Sequence, residues 1–198
     1  RQTIATQTEL FLVNWFFQGA TNQPAIWRIE IDAGYVADSV PTKIGDIKLS
    51  ESSTYFELSG PITTVLDMAY EYSTDTMYAI GSTMVDLHYS YVFLYTVDLD
   101  TAEFTQVGDS YITSRTLKGV ATLACDLDGT LYCVERGSQL AKLYKLKVQD
   151  DRVTCESIGD DTGLPSSGYI QTMTFDHNTG NLYWANCFVY TATESQSF

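Results

Sequence analysis

With 198 residues, 44% of them hydrophobic, the chain is long enough for one domain with a buried core and too apolar for a disordered segment. Its 25 acidic residues outweigh 11 basic ones, and the formal net charge of -14 repels nucleic acid and anionic membranes, so neither is expected as a partner. No apolar run approaches the roughly 18 residues of a membrane-spanning helix, so no membrane insertion is expected.

The 14 tyrosines, with plentiful Thr and Ser, suit pleated, half-buried surfaces and lean towards an all-β chain. The first predicted strand is Thr8-Glu9-Leu10-Phe11-Leu12-Val13, followed by the aromatic run Trp15-Phe16-Phe17. Ile26-Trp27-Arg28-Ile29-Glu30-Ile31-Asp32 comes next, with Trp27, Ile29 and Ile31 on one face and polar residues on the other. Such period-two alternation predicts a strand with one packed and one wetter face. A further strand ends at Ile44-Gly45-Asp46, and the polar stretch 50–61 reads as an insertion.

From there the phrases return. Leu66-Asp67-Met68-Ala69-Tyr70-Glu71 is followed by the turn Tyr72-Ser73-Thr74-Asp75 and a strand through Tyr78. A longer connection holds His88, Tyr89, Ser90 and Tyr91, then Leu94–Asp100 alternates with Tyr95, Val97 and Leu99 on one face. The strand after it ends at Val107-Gly108-Asp109. The next copy runs through Thr122–Asp126, the turn Leu127-Asp128-Gly129, Thr130–Tyr132, Leu143–Gln149 and Ile158-Gly159-Asp160. The last begins with Thr172–Asp176, turns at His177–Gly180 and continues through Asn181-Leu182-Tyr183. Gly, Asn and Asp in these turns supply the positive φ or local hydrogen bonds of a tight hairpin.

With the strands of one unit lettered A to D, the chain reads B-C-D, A-B-C-D, A-B-C-D, A-B at a period of about 50 residues. No helical periodicity interrupts it. Antiparallel four-stranded units at this spacing describe a β-propeller, with about three and a half blades present. The predicted divisions of the single partial propeller domain (1–198) are 1–49 for strands B-C-D, 50–61 for the insertion, 62–109 and 110–161 for two full blades, and 162–198 for strands A-B.

A family resemblance rests on these phrases. Ala124-Cys125-Asp126-Leu127-Asp128-Gly129-Thr130-Leu131-Tyr132 resembles the blade motif of the NHL, YWTD and SMP-30-like propellers. Asn181-Leu182-Tyr183-Trp184-Ala185 is similar to the YWTD tetrad, with Ala-Asn where Thr-Asp would stand. Leu94–Thr101 resembles the third-strand phrase of bacterial extracellular propellers. The resemblance implies an extracellular or cell-surface bacterial propeller. Because such propellers include enzymes, receptors and structural modules, it does not imply one activity.

Since a closed ring needs about four to eight blades, the arc is expected to be completed by propeller strands from the same parent protein or another chain. Seven of the eleven basic residues lie between Arg115 and Arg152. They read either as an anion patch or as a solvated face balancing local acids. Of the four cysteines, Cys125 and Cys133 flank one hairpin on the same face, diagonally offset; a poorly aligned bridge and buried free thiols are the two readings. The absence of Cys-x-x-Cys and of His at ligand spacing argues against zinc.

Two candidate sites emerge. Glu71, Asp126 and Asp176 close the A strands at matching places. They either converge as a carboxylate set for Ca²⁺ or each cap their own turn. Trp15, Phe17, Tyr89 and Tyr91 lie beside predicted connections, where they either bind a glycan or protein ligand or fill the space between blades. With two histidines and no nucleophile elbow, zincin motif or phosphate loop, no catalytic residue is assigned. The expected function is a non-catalytic binding or display module of a secreted or surface-attached bacterial protein. The alternatives are a metal-dependent hydrolase or lactonase-like propeller enzyme and a structural spacer.

Overall fold

The computed structural model describes residues 7–13, 24–32, 40–53, 62, 64–84, 90–108, 119–135, 140–149, 152–165 and 170–187. Among them every regular element is a strand. The first sheet has the order β1 (Gln7–Val13), β2 (Ala25–Asp32), β3 (Thr42–Asp46). After β4 (Lys48–Leu49), the second blade comprises β5 (Thr64–Glu71), β6 (Thr76–Met84), β7 (Ser90–Asp98) and β8 (Glu103–Gln106). The third comprises β9 (Val120–Cys125), β10 (Leu131–Glu135), β11 (Leu143–Gln149) and β12 (Arg152–Ile158). The fourth contributes β13 (Ile170–Asp176) and β14 (Asn181–Cys187). Each blade is an antiparallel meander, and β9 lies against both β5 and β13. The chain is thus all-β, with a partial β-propeller architecture.

The A–B turns show why the repeat folds alike. Gly129 and Gly180 take φ of 80° and 72°, the left-handed region that a glycine occupies at no steric cost. The turn without glycine puts Asp75 there instead, at φ 57°. Asp is among the few side chains that tolerate this region, so the third turn keeps the same backbone path.

Three apolar seams hold the blades together. Between the first and second blades, Ile26 meets Phe93, Tyr95, Val97 and Phe104. Between the second and third, Ile80, Val92 and Leu94 pack on Leu123, Cys133 and Leu146. Between the third and fourth, Ala124, Val134 and Ala141 enclose Met173. The sequence predicted one wetter face on each C strand. In β7 that expectation holds from Tyr95 to Asp98, where Tyr95 and Val97 are buried and Asp98 is exposed, but not ahead of it, because Val92, Phe93 and Leu94 are buried as well. The reason is geometric: Val92 and Leu94 point into one seam while Phe93 and Tyr95 point into the other. In β11 polar residues do alternate with the buried Tyr144 and Leu146, though Val148 of the apolar face is itself 52% exposed.

Two further departures concern length. β7 begins at Ser90, so Tyr91 is a strand residue opposite Thr83 and not part of a connection. It is half-buried against the first seam. β7 also ends at Asp98, where the carboxylate Oδ1 accepts the amides of Asp100 at 2.8 Å and Thr101 at 2.9 Å and turns the chain. The start of the predicted insertion has a structural task. β4 pairs in parallel with β8, and the Ser50 amide donates to the Phe104 carbonyl at 2.9 Å. The chain leaving the first blade therefore seals the outer edge of the second, an edge that would otherwise present unpaired backbone groups. Residues 54–61 of that stretch lie outside the described residues.

Candidate functional site

The A–B turns of the second, third and fourth blades meet at one end of the inner strands. Asp126 Oδ1 accepts the amides of Asp128 at 3.0 Å and Thr130 at 2.8 Å, and Oδ2 accepts the Tyr132 hydroxyl at 2.8 Å. Burial, then that hydrogen bond, pushes the Tyr132 phenol up to about 12. Asp176 accepts the Asn178 amide at 2.9 Å and the Thr179 hydroxyl at 2.6 Å; the Thr179 bond, first of all, holds its carboxyl below the ordinary carboxylate range. Glu71, buried at 6% exposure, accepts the hydroxyls of Ser73 and Thr74, which lower its pKa. All three predicted metal-site acids are thus engaged within their own hairpins. Among the described residues, no group of three or more His, Cys, Asp or Glu is placed to hold a metal ion.

Around these caps runs a continuous chain of rings. Tyr70 and Tyr72 meet edge to face at 5.0 Å, and Tyr72 meets His177 at 5.0 Å. His177 lies 6.0 Å from Phe175, which stacks on Tyr132 at 5.9 Å. Lys145 Nζ stands 5.8 Å from the Tyr132 ring centroid. The rings span three blades: Tyr70 and Tyr72 from the second, Tyr132 from the third, Phe175 and His177 from the fourth. His177 is fixed by its Nε2, which donates to the Cys125 carbonyl at 3.0 Å. The Tyr70 hydroxyl donates to Asp75, which pushes its pKa up to about 12. Tyr72 is 63% exposed and forms the open crest of this rim. Its geometry suits an extended ligand with flat apolar faces and polar edges.

Sequence reasoning missed this rim, although a signal was present. Tyr70-Glu71-Tyr72 and Phe175-Asp176-His177 place a ring on each side of the capping acid. Of the predicted aromatic site residues, Trp15, Phe17 and Tyr89 lie outside the described residues, and Tyr91 lies against the first seam, apart from the rim.

A fourth acid was also missed. Asp67, inside β5 beside a register shift, accepts the Met68 amide at 2.9 Å and, with Oδ2, the Leu123 amide of the third blade at 3.0 Å. Burial dominates these bonds and raises its pKa to about 6. The corresponding positions in the next blades carry Thr122 and Thr172. Asp67 is therefore an ionisable group tying two inner strands together.

Two cysteines and two of the lysines noted in the sequence are also placed, while Arg115, Lys118 and Arg136 lie outside the described residues. Cys125 lies opposite Leu131 and Cys133 opposite Leu123, and both thiols are buried and free. In the basic stretch, Lys147 pairs with Glu156 across neighbouring strands, and Lys145 leans on Tyr132.

No family model matches the sequence, and no curated protein is similar to it. Among solved structures, an α-L-arabinofuranosidase from Clostridium thermocellum is similar to this chain with a TM-score of 0.55 at 14% identity. The match covers 98% of this chain and 64% of that one, so the chain spans a little under two thirds of the neighbour's length. The likeness defines the class, a β-propeller. It does not single out the NHL, YWTD and SMP-30-like group that the blade phrases resemble.

Proposed function

We propose that the chain belongs to a non-catalytic binding module of a secreted or surface-attached bacterial protein, and that it takes a glycan on the A–B rim. The observation that carries this reading is the ring series from Tyr70 to Tyr132 across three blades, with Tyr72 63% exposed at its crest. Sugar rings present apolar C–H faces that stack on aromatic side chains, and their hydroxyls donate to carboxylates such as Asp128 beside the rim. Turns on a rigid scaffold are where binding groups commonly sit.

Affinity electrophoresis through gels containing arabinan, arabinoxylan or mixed-linkage glucan tests the reading; the first two polymers follow from the name of the structural neighbour. Retardation by at least one polymer is expected. Tyr72→Ala should weaken it about tenfold or more, in line with the loss of a binding hot spot, while leaving the melting temperature unchanged. Retardation that persists in Tyr72→Ala, or none in any gel, sinks the proposal.

A hydrolase or lactonase-like enzyme is the second reading. It is favoured by the neighbour being a glycosidase and by Asp67, whose raised pKa suits proton transfer near neutral pH. Turnover of a p-nitrophenyl arabinofuranoside or a lactone, with or without added Ca²⁺, that disappears in Asp67→Asn would replace the binding reading with this one.

A further inference from the structure

His177 stands where the second, third and fourth blades meet. Its imidazole packs edge to face on Tyr72 of the second blade, with centroids 5.0 Å apart and planes at 87°, and lies 6.0 Å from Phe175 of its own blade. Its Nε2 is 3.0 Å from the Cys125 carbonyl of the third blade. A carbonyl only accepts, so Nε2 carries the hydrogen and the tautomer of the neutral ring is fixed. The other nitrogen, Nδ1, then holds a bare lone pair. The two nitrogens of an imidazole point more than a right angle apart, so Nδ1 is turned away from that carbonyl. It has no hydrogen-bond partner among the described residues, and it is not enclosed, on a side chain that is only half-buried.

The neighbouring acids are engaged elsewhere. Asp126 holds two amides and the Tyr132 hydroxyl, Asp176 an amide and a hydroxyl, and Glu71 two hydroxyls, all inside their own hairpins. With the exposed Asp128 they give this end of the inner strands a negative potential, offset on the Tyr132 side by Lys145. A hydroxyl can donate to Nδ1 in that field. A carboxylate or sulfate would set an acceptor against an acceptor and a charge against like charges.

We propose that His177 Nδ1 is the specificity-determining acceptor of the rim: a neutral sugar standing on the exposed Tyr72 ring donates one hydroxyl to it, and a sugar carrying an acid group there is rejected. The inference rests on the glycan reading and narrows it to neutral glycans. Stacking on Tyr72 alone tolerates many sugars, since each has an apolar face. A single acceptor beside that ring does not, because a ligand that covers the lone pair without supplying a donor leaves it unsatisfied.

The test separates the two nitrogens. His177→Gln carries an amide N–H within reach of the Cys125 carbonyl and leaves no acceptor at the Nδ1 position. His177→Asn restores an amide oxygen at the Nδ1 position and gives up the carbonyl bond. Parent and variants are run through gels containing arabinan, arabinoxylan, mixed-linkage glucan or polygalacturonate, an acidic polymer, at a mildly alkaline pH that keeps imidazoles neutral. Melting temperatures are measured alongside. Retardation by at least one neutral polymer, and none by polygalacturonate, is expected. His177→Gln should melt as the parent does yet lose about tenfold or more in affinity. His177→Asn should melt lower yet recover most of that loss. A histidine that acts only through its carbonyl bond gives the reverse order. Parent-like binding by His177→Gln overturns the proposal, as do equal losses in the two variants or stronger retardation by polygalacturonate. In each of those cases, loss of retardation in Tyr72→Ala leaves the glycan reading standing. Retardation in none of the gels removes that reading and this inference together.

Discussion

Asp67 is the side chain whose behaviour the sequence conceals most. Nothing in Leu66-Asp67-Met68 marks the acid as special, yet its oxygens meet backbone amides of two blades while burial raises its pKa from 3.8 to about 6. Only the neighbouring inner strand, distant in sequence, makes it a buried acid. The sign of its effect follows from linkage. Between those two values the folded chain keeps a proton that the unfolded chain has released, so stability falls as pH rises through the window. Below the unfolded value the penalty is absent; above about 6 it is fully present. At about 1.4 kcal/mol per pKa unit, its ceiling is on the order of 3 kcal/mol. Asp67→Asn keeps an acceptor for the Leu123 amide and removes the titration. Urea unfolding at about pH 4 and pH 7 should show the parent losing more stability than the variant as pH rises. The general repulsion among the remaining acids acts on both proteins alike, so the difference isolates this carboxyl. Parallel pH profiles would refute the assignment.

At the scale of the element, strand order was legible because the phrases repeat, and repetition survives local irregularity. The hairpin turns were legible through their Gly, Asn and Asp. Other elements were not. β4 has two residues and pairs in parallel, so it leaves no periodic trace. The early start of β7 was hidden because burial on both sides erases the alternation by which a strand is recognised. The rim was legible in part, since its acids were singled out while the rings flanking them were not. The turns differ in one respect that a substitution can measure. Gly129 and Gly180 share a left-handed backbone, at φ 80° and 72°. A Cβ at position 129 would lie 2.8 Å from Glu71 Oε1 of the preceding blade, whereas position 180 opens on nothing within 4 Å. Gly180→Ala should therefore cost only the backbone strain, about 1 kcal/mol. Gly129→Ala should cost roughly 1–2 kcal/mol more, because it must also displace a buried, doubly hydrogen-bonded carboxylate. Equal shifts in the urea midpoint would mean that the contact between Glu71 and the next turn carries no weight.

For the molecule as a whole, the controlling feature is that each sheet buries its faces only against its neighbours. The second blade has a seam on both sides and a sealed outer edge, through Tyr95 and Phe104 on one side and Ile80 and Leu94 on the other. The described strands of the fourth blade share a single seam, to which Met173 is the one buried apolar side chain they contribute. At roughly 1.5–3 kcal/mol per fully buried large apolar side chain, this difference is large beside the net stability of a domain. Architectures stacked from repeated units open from the units with fewest interfaces, because each interface contributes its own stabilisation. Amide hydrogen exchange should therefore rank the sheets, with β13 and β14 exchanging fastest of the A–B pairs, β9 and β10 slower, and β5 and β6 slowest. Leu123→Ala, which opens the seam between the second and third blades, should cost about 2–5 kcal/mol and bring β9 and β10 towards the exchange rate of the fourth blade. Uniform exchange across all three pairs, unchanged by Leu123→Ala, would show that the seams act as one cooperative core, and that a single seam leaves the fourth blade no weaker than its neighbours.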